Sequence, residues 1–258
     1  MNYSTILLSV RDDVAILTLN RPDMMNALNT QMRAEITHAV NDVGKRARVL
    51  VITGKGRAFC SGQDLGDRAN AADIDLERTL RDEYMPMLTA IFECPIPTIA
   101  AVNGAAAGAG ANLALAADVV IATQSAVFLQ AFTRIGLIPD AGGTYWLPRQ
   151  MGAAKAMGAA LFAEPITATQ AADWGMIWEA VDDSEFADHW WGRANELAKG
   201  PTAAYAHVKQ AIRGSYDNTL DEQLALEARL QGDCGKTRDF KEGVLAFLEK
   251  RPANFEGR

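Results

Sequence analysis

Pro97-Thr98-Ile99-Ala100-Ala101-Val102-Asn103, Gly104-Ala105-Ala106-Ala107-Gly108-Ala109-Gly110, Ala111-Asn112-Leu113-Ala114-Leu115-Ala116-Ala117 and Asp118-Val119-Val120-Ile121-Ala122 form the stretch that decides how this chain is organised. It reads as a buried strand, a glycine-rich turn, a helix of small residues and a second strand. That order sets two strands side by side in parallel through a right-handed crossover. Upstream, residues 5–10 and 14–19 are β-rich runs separated by Arg11-Asp12-Asp13, which predicts an antiparallel hairpin. Asn29 is placed to cap a helix through Val43, with Met32, Ile36, Ala39, Val40 and Val43 at helical spacing and Gly44 at its end. A strand over 48–53 and a helix over 75–92 precede the deciding stretch. Beyond Gly142 the pattern turns helical, with segments expected over 153–161, 167–174, 184–198, 201–213, 220–230 and 237–250 and one short strand near 177–181. The class is therefore α/β, a mainly parallel sheet with an antiparallel opening. The plausible boundary, at Gly200-Pro201, divides residues 1–200 from a helical region over 201–258.

The composition narrows the chemistry. Of 258 residues 49% are hydrophobic and 22% charged, which supports a packed core and argues against disorder. Cys60, Cys94 and Cys234 are too few and too scattered for a disulfide framework or a thiolate metal cluster, so a reducing cytoplasm is expected. A net charge of −7 and the lack of a basic run speak against nucleic acid or an anionic membrane as partner. No Asp, Glu, Lys or Arg lies between Glu93 and Asp118, but residues 99–117 are mostly alanine, with Asn103 and Asn112 among them. Such a segment has too little transfer energy to span a bilayer. Met1-Asn2-Tyr3-Ser4 lacks the basic and apolar regions of a signal peptide. Small-molecule chemistry is the expectation that remains.

Gly104 to Gly110 has the spacing G-x-x-x-G-x-G, which matches neither the dinucleotide fingerprint nor a phosphate loop ending in Gly-Lys-Ser/Thr. The glycines have a plain structural reading, as small residues that let a helix pack closely on the sheet. A second loop, Ala58-Phe59-Cys60-Ser61-Gly62-Gln63-Asp64-Leu65, also runs from a strand through glycine toward a helical start. Two such turns could aim two backbone N–H groups at one carbonyl oxygen, an oxyanion hole.

Phe59-Cys60-Ser61-Gly62-Gln63-Asp64-Leu65, Ala101-Val102-Asn103-Gly104 with Gly108-Ala109-Gly110, and Gly136-Leu137-Ile138-Pro139-Asp140-Ala141-Gly142-Gly143-Thr144 resemble the enoyl-CoA hydratase/isomerase, or crotonase, family. The resemblance extends from Leu19-Asn20-Arg21-Pro22 with Asn26-Ala27-Leu28 to 242–251, nearly the whole chain. It implies a crotonase-like spiral of ββα units with a helical C-terminal trimerisation region, an acyl-CoA thioester as substrate, no further cofactor, and a homotrimer or dimer of trimers. The donors it implies are the backbone N–H groups of Gln63, after Gly62, and Ala109, after Gly108. It also implies that Met25, Ala27, Ala58, Asp64, Leu65 and Gly66 line the nucleotide and pantetheine path, with Phe247 and Lys250 touching CoA, often that of a neighbouring subunit. Lys250 has a second reading as a cation at a helix C-terminus.

Hydration of an enoyl thioester asks for a base on water and an acid for the α-carbon, which family hydratases usually supply as two glutamates. This sequence carries Asn112 at the first position and Phe132 at the second. An amide cannot exchange a proton near neutrality, and a phenyl ring can only exclude water. Asp140, after Pro139, matches the acid/base aspartate of family isomerases, although an Asp there could also cap the helix that follows. Ile135-Gly136-Leu137-Ile138-Pro139-Asp140, Trp174-Gly175-Met176-Ile177-Trp178 and Thr219-Leu220-Asp221 look like the branch that converts ring-1,2-epoxyphenylacetyl-CoA to oxepin-CoA, and similar enzymes shift Δ3 double bonds to Δ2. A hydratase using water held by Asn and Asp, or a non-catalytic acyl-CoA-binding subunit, stays open beside it. His38, His189 and His207 have no ligand-spaced partner, Cys60 has no His nearby in sequence, and no G-x-S-x-G elbow occurs. Metal and covalent chemistry are therefore not expected.

Overall fold

Three central strands of the main sheet are each followed by a three-residue strand of a second sheet and then by helix. The computed structural model describes residues 3–67 and 75–258. The chain opens with the hairpin β1 (Ile6–Arg11) and β2 (Val14–Leu19), then α1 (Thr30–Val43), capped by Asn29, whose side chain accepts from the Met32 N–H. Three turns of a spiral follow. β3 (Val49–Gly54) leads to β4 (Ala58–Cys60) and to α2 (Leu76–Thr79) and α3 (Met85–Phe92), which a π-helical turn over Leu80–Tyr84 joins. β5 (Thr98–Val102) leads to β6 (Ala105–Ala107) and α4 (Ala109–Leu115), and β7 (Val119–Thr123) to β8 (Val127–Leu129) and α5 (Gly143–Phe162). β9 (Ile166–Thr167), α6 (Ala168–Asp173), β10 (Glu179–Val181) and α7 (Phe186–Ala198) complete this part. α8 (Thr202–Gly214), α9 (Leu220–Cys234) and α10 (Arg238–Glu249) end the chain.

The main sheet has the order β1-β2-β3-β5-β7-β10, parallel except for the opening hairpin, and the second has the order β4-β6-β8-β9. Strands buried on both faces read as unbroken apolar runs rather than alternation, which is why Val49-Leu50-Val51-Ile52 is buried throughout. Leu50 and Ile52 face the larger core between the sheets and the helices of the spiral, whereas Val49 and Val51 face α7 through Phe186, Ala194 and Ala198. The alanine and glycine of the deciding stretch have a steric cause. A Cβ on Gly104 would come within 2.2 Å of the Arg57 carbonyl oxygen, and one on Gly110 within 2.3 Å of that of Cys60, so β5, β6 and α4 close tightly on β4.

β4, β6, β8 and β9 were not expected from the sequence, because a run of two or three residues carries no legible period. The helix expected to follow Asp140 and the one expected over 153–161 form one element whose backbone breaks at Gly152 (φ 78°, ψ 161°). No helix among the described residues is long and apolar enough to cross a membrane. α8 is fastened to the spiral by charge, since Lys209 and Arg213 meet Asp118 at 2.7 and 2.6 Å while Asp118 also accepts from Thr98.

Candidate active site

β4, β6 and β8 are hydrogen-bonded neighbours, so the segments leaving their C-terminal ends come out side by side. Gln63 follows β4, Ala109 follows β6, and Asp140 lies on the excursion between β8 and α5. Gln63 bridges Leu28 in parallel: the Leu28 N–H donates to the Gly62 carbonyl at 2.8 Å, and the Asp64 N–H donates to the Leu28 carbonyl at 3.1 Å. In a parallel pair those bonds fall on the residues flanking Gln63, so its own N–H faces away from Leu28. Ala109 is the first residue of α4, whose leading N–H groups have no partner within the helix. Among the described residues neither N–H meets an acceptor. Gly62 makes their approach possible. Its φ is +97°, and a Cβ there would stand 2.8 Å from the Ala107 carbonyl oxygen and 3.5 Å from the Ala109 nitrogen.

Both donors border a cavity of about 300 Å³ whose other walls are mostly apolar, including Leu80, Phe132 and Leu137. Asp140 is the one carboxylate among the described residues lining it. Burial pushes its carboxyl up to about 6, only partly opposed by its own backbone N–H. Asp140 does not cap α5: the capping residue is Gly142, and no side chain bonds to the helix end. Its carboxyl is thus left to the cavity. Asp140 also borders a second recess, of about 550 Å³, between the π-helical turn and residues 137–144, so a substrate larger than the first cavity has room beyond the carboxylate. Cys60 is fully buried and its thiol is pushed up to about 12 by that burial, which removes it as a nucleophile.

A family model described as Enoyl-CoA hydratase/isomerase matches residues 9–258. The chain belongs to the enoyl-CoA hydratase/isomerase family. It is 62% identical, over the full length of both chains, to a Rhodobacter capsulatus protein named "Probable enoyl-CoA hydratase". It is 46% identical to the 1,2-epoxyphenylacetyl-CoA isomerase of Escherichia coli K12, over 98% of each chain. A crystal structure of an enoyl-CoA hydratase from Polaromonas sp. JS666 matches with a TM-score of 0.92 at 33% identity, covering 97% of this chain and 99% of that one. The spiral of ββα turns is the fold of this family.

Within the family frame, the residues expected at the site fall into two groups. Gln63, Leu65, Gly108, Ala109, Phe132 and Asp140 line the first cavity, and Pro139 lines the second recess. Met25 is exposed and its carbonyl accepts from the Ser61 N–H at 3.0 Å, which sets it beside the Gln63 loop. Gly66 is exposed as well. Ala27 and Ala58 are buried, and Asp64 is held by Arg21 at 2.7 Å and by the Gly66 N–H, so its carboxylate shapes the loop from within. Asn112, expected on the substrate path, lies behind the cavity wall, 0% exposed, with its amide engaged by Gln130 and by the Asp140 carbonyl. Phe247 is 82% exposed on α10 and Lys250 is the left-handed residue that closes that helix; both lie away from this chain's own cavity.

Sequence reasoning missed the support behind Gln63. The Tyr84 hydroxyl donates to Gln63 Oε1 at 2.6 Å, and the buried Arg33 guanidinium reaches the same oxygen at 3.4 Å, the Leu28 carbonyl at 2.5 Å and Glu83 at 2.5 Å. Burial raises the Tyr84 phenol further above its usual range, so it stays a neutral donor. Tyr84 follows Leu80 by one helical turn on an apolar face, a signal that was present in the sequence. Arg33 had none beyond being a charge beside Met32 and Ile36.

Proposed function

We propose that the protein is an acyl-CoA isomerase working with one aspartate and a backbone oxyanion hole. The observation carrying this reading is that Asp140 is the single carboxylate among the described residues lining the cavity that the Gln63 and Ala109 N–H groups border. The thioester carbonyl oxygen sits between those two donors, which stabilise the negative charge that develops on it. For a Δ3-enoyl thioester, Asp140 takes a proton from C2 and the C3–C4 double bond shifts to C2–C3. The same carboxyl returns the proton to C4, leaving the thioester neutral and the atom count unchanged. A carboxyl near 6 suits both halves, ionised enough to accept and acidic enough to give back. For ring-1,2-epoxyphenylacetyl-CoA, the proton leaves the methylene between ring and thioester and returns to the ring. The ring carbon–carbon bond bridged by the epoxide oxygen opens, giving the seven-membered oxepin. The name of the E. coli relative supports this substrate. No cofactor enters either scheme.

Substrate lies along Met25, Leu65 and Gly66, with Phe247 and Lys250 completing the CoA site of a neighbour in a homotrimer or dimer of trimers. The exposed Leu224, Val244, Leu245 and Leu248 support such association. The hydratase name of the Rhodobacter relative favours a second reading, in which Asp140 alone activates a water, since Asn112 lies behind the cavity wall. Turnover of a Δ3-enoyl-CoA against hydration of crotonyl-CoA, both followed by absorbance of the conjugated thioester, separates them. Isomerisation should dominate, and hydration as fast as isomerisation would promote the second reading.

A further inference from the structure

Asn112 sits on α4 at the position of a hydratase glutamate, and what its side chain touches points to a different task. Gln130 Nε2 donates to Asn112 Oδ1 at 2.9 Å, and Asn112 Nδ2 donates to the Asp140 carbonyl at 2.7 Å, which also accepts from the Gly143 N–H at 2.8 Å. The polarity of this chain admits one solution. A backbone carbonyl only accepts, so the nitrogen of Asn112 must face Asp140, its oxygen must face Gln130, and Gln130 must present its nitrogen. The fit is tight, since a Cβ on Gly143 would stand 2.5 Å from Asn112 Nδ2. Gln130 is 1% exposed and its Oε1 has no partner among the described residues, a cost that an apolar residue of similar size would avoid. The amide is therefore accounted for by what its nitrogen holds.

We propose that Asn112, oriented by Gln130, is a positioning residue that fixes the Asp140 peptide so that its carboxyl faces the two backbone donors, and that this brace and a carboxylate base at position 112 exclude each other. An ionised oxygen at 112 would be set against the Asp140 carbonyl oxygen across a 2.7 Å gap, and residues 137–143 could not keep this course. The choice between relaying a proton and activating water is thereby made at one buried side chain that touches no substrate. This inference rests on the isomerase reading above.

The test uses the full chain with Asn112→Asp, which keeps the size, and Gln130→Leu, which removes only the orienting donor. Isomerisation kinetics are measured across pH, together with crotonyl-CoA hydration. In Asn112→Asp, kcat should fall at least about tenfold with KM within about threefold, the signature of a lost transition-state alignment. The acid limb of its kcat profile should move to higher pH, because a second acid now faces the Asp140 peptide. Tyr84, Arg134, Glu77 and Arg81, the titratable or charged groups bordering the same cavity and recess, are unchanged in both variants. Gln130→Leu should shift kcat in the same direction by a smaller factor. Wild-type kcat and pH profile in both variants would overturn the brace, and so would a gain of hydration in Asn112→Asp, which would put residue 112 within reach of substrate. If Asn112→Asp does not fold, Gln130→Leu decides alone. A wild-type protein that hydrates and does not isomerise would sink the isomerase reading instead, and the same two variants would then judge the brace on hydration kinetics.

Discussion

Replacing Asp140 with Asn keeps the shape of the side chain and removes its ability to accept a proton, so kcat for isomerisation should drop by about 10²–10⁴. The same substitution should make the protein more stable at neutral pH. In the folded state burial raises the carboxyl to about 6, against about 3.9 for an ordinary aspartate. The fold therefore holds that proton more tightly than the unfolded chain does, and ionising the group costs folding free energy. The cost is absent below about 3.9, grows as pH rises, and is complete above about 6. Allowing for the partial solvent access of the side chain, it is about 2 kcal/mol at pH about 7. Asparagine carries no such cost, and no cap is lost because Gly142 occupies that place. Denaturant unfolding of both proteins near neutrality and near pH 4, beside steady-state kinetics, makes the comparison. Retention of more than about a tenth of kcat, or a variant less stable than wild type at neutral pH, would refute the placement of a buried, ionisable base at this point.

Tyr84→Phe removes the stronger of the two hydrogen bonds on Gln63 Oε1 and should lower kcat about 5- to 30-fold with little change in KM; an unchanged kcat would mean the side chain of Gln63 does not steady its N–H. Asp118→Asn breaks the two ion pairs that fasten α8, and should cost roughly 2–3 kcal/mol and expose residues 202–258 to protease before the rest, which limited digestion reads directly. Glu35 is pushed up by burial, but donors from Thr5, Ser4 and Gln31 outweigh that and hold it at about 2, so its contribution should persist above about 4.3 and fade as pH falls toward 2; Glu35→Gln should blunt that loss in acid melting curves. Sedimentation at micromolar concentration should find an oligomer, and a monomer alone would count against a CoA site completed by a neighbour's Phe247 and Lys250.

The parts of this molecule that announce themselves in sequence are those with a local cause. Asn29 caps α1 as its position before Met32 suggests, Thr5 to Leu19 pairs as a hairpin, and the unbroken apolar run in β3 reads as a strand covered on both sides. Asp140, Gln63 and Ala109, which line one cavity, were singled out through motifs rather than through any period. What escaped has its cause elsewhere in the chain. β6 is Ala-Ala-Ala, a sequence with no preference for a strand, and it becomes one because β4 and β8 flank it. Arg33 and Glu83 are fifty positions apart, and Gln130 meets Asn112 only after β8 has been laid beside β6.

The two donors of the proposed oxyanion hole belong to the main chain, and their spacing is inherited from adjacent hydrogen-bonded strands, which lie about 4.8 Å apart wherever they occur. Side-chain replacement at Gln63 or Ala109 leaves both N–H groups in place, and among the natural residues proline alone would delete one. The electrostatic half of the site is in this sense shielded from mutation, while the proton-handling half hangs on single side chains that one codon change can supply or remove. A lineage built on this scaffold can therefore exchange one reaction of acyl thioesters for another without ever losing its grip on the thioester itself.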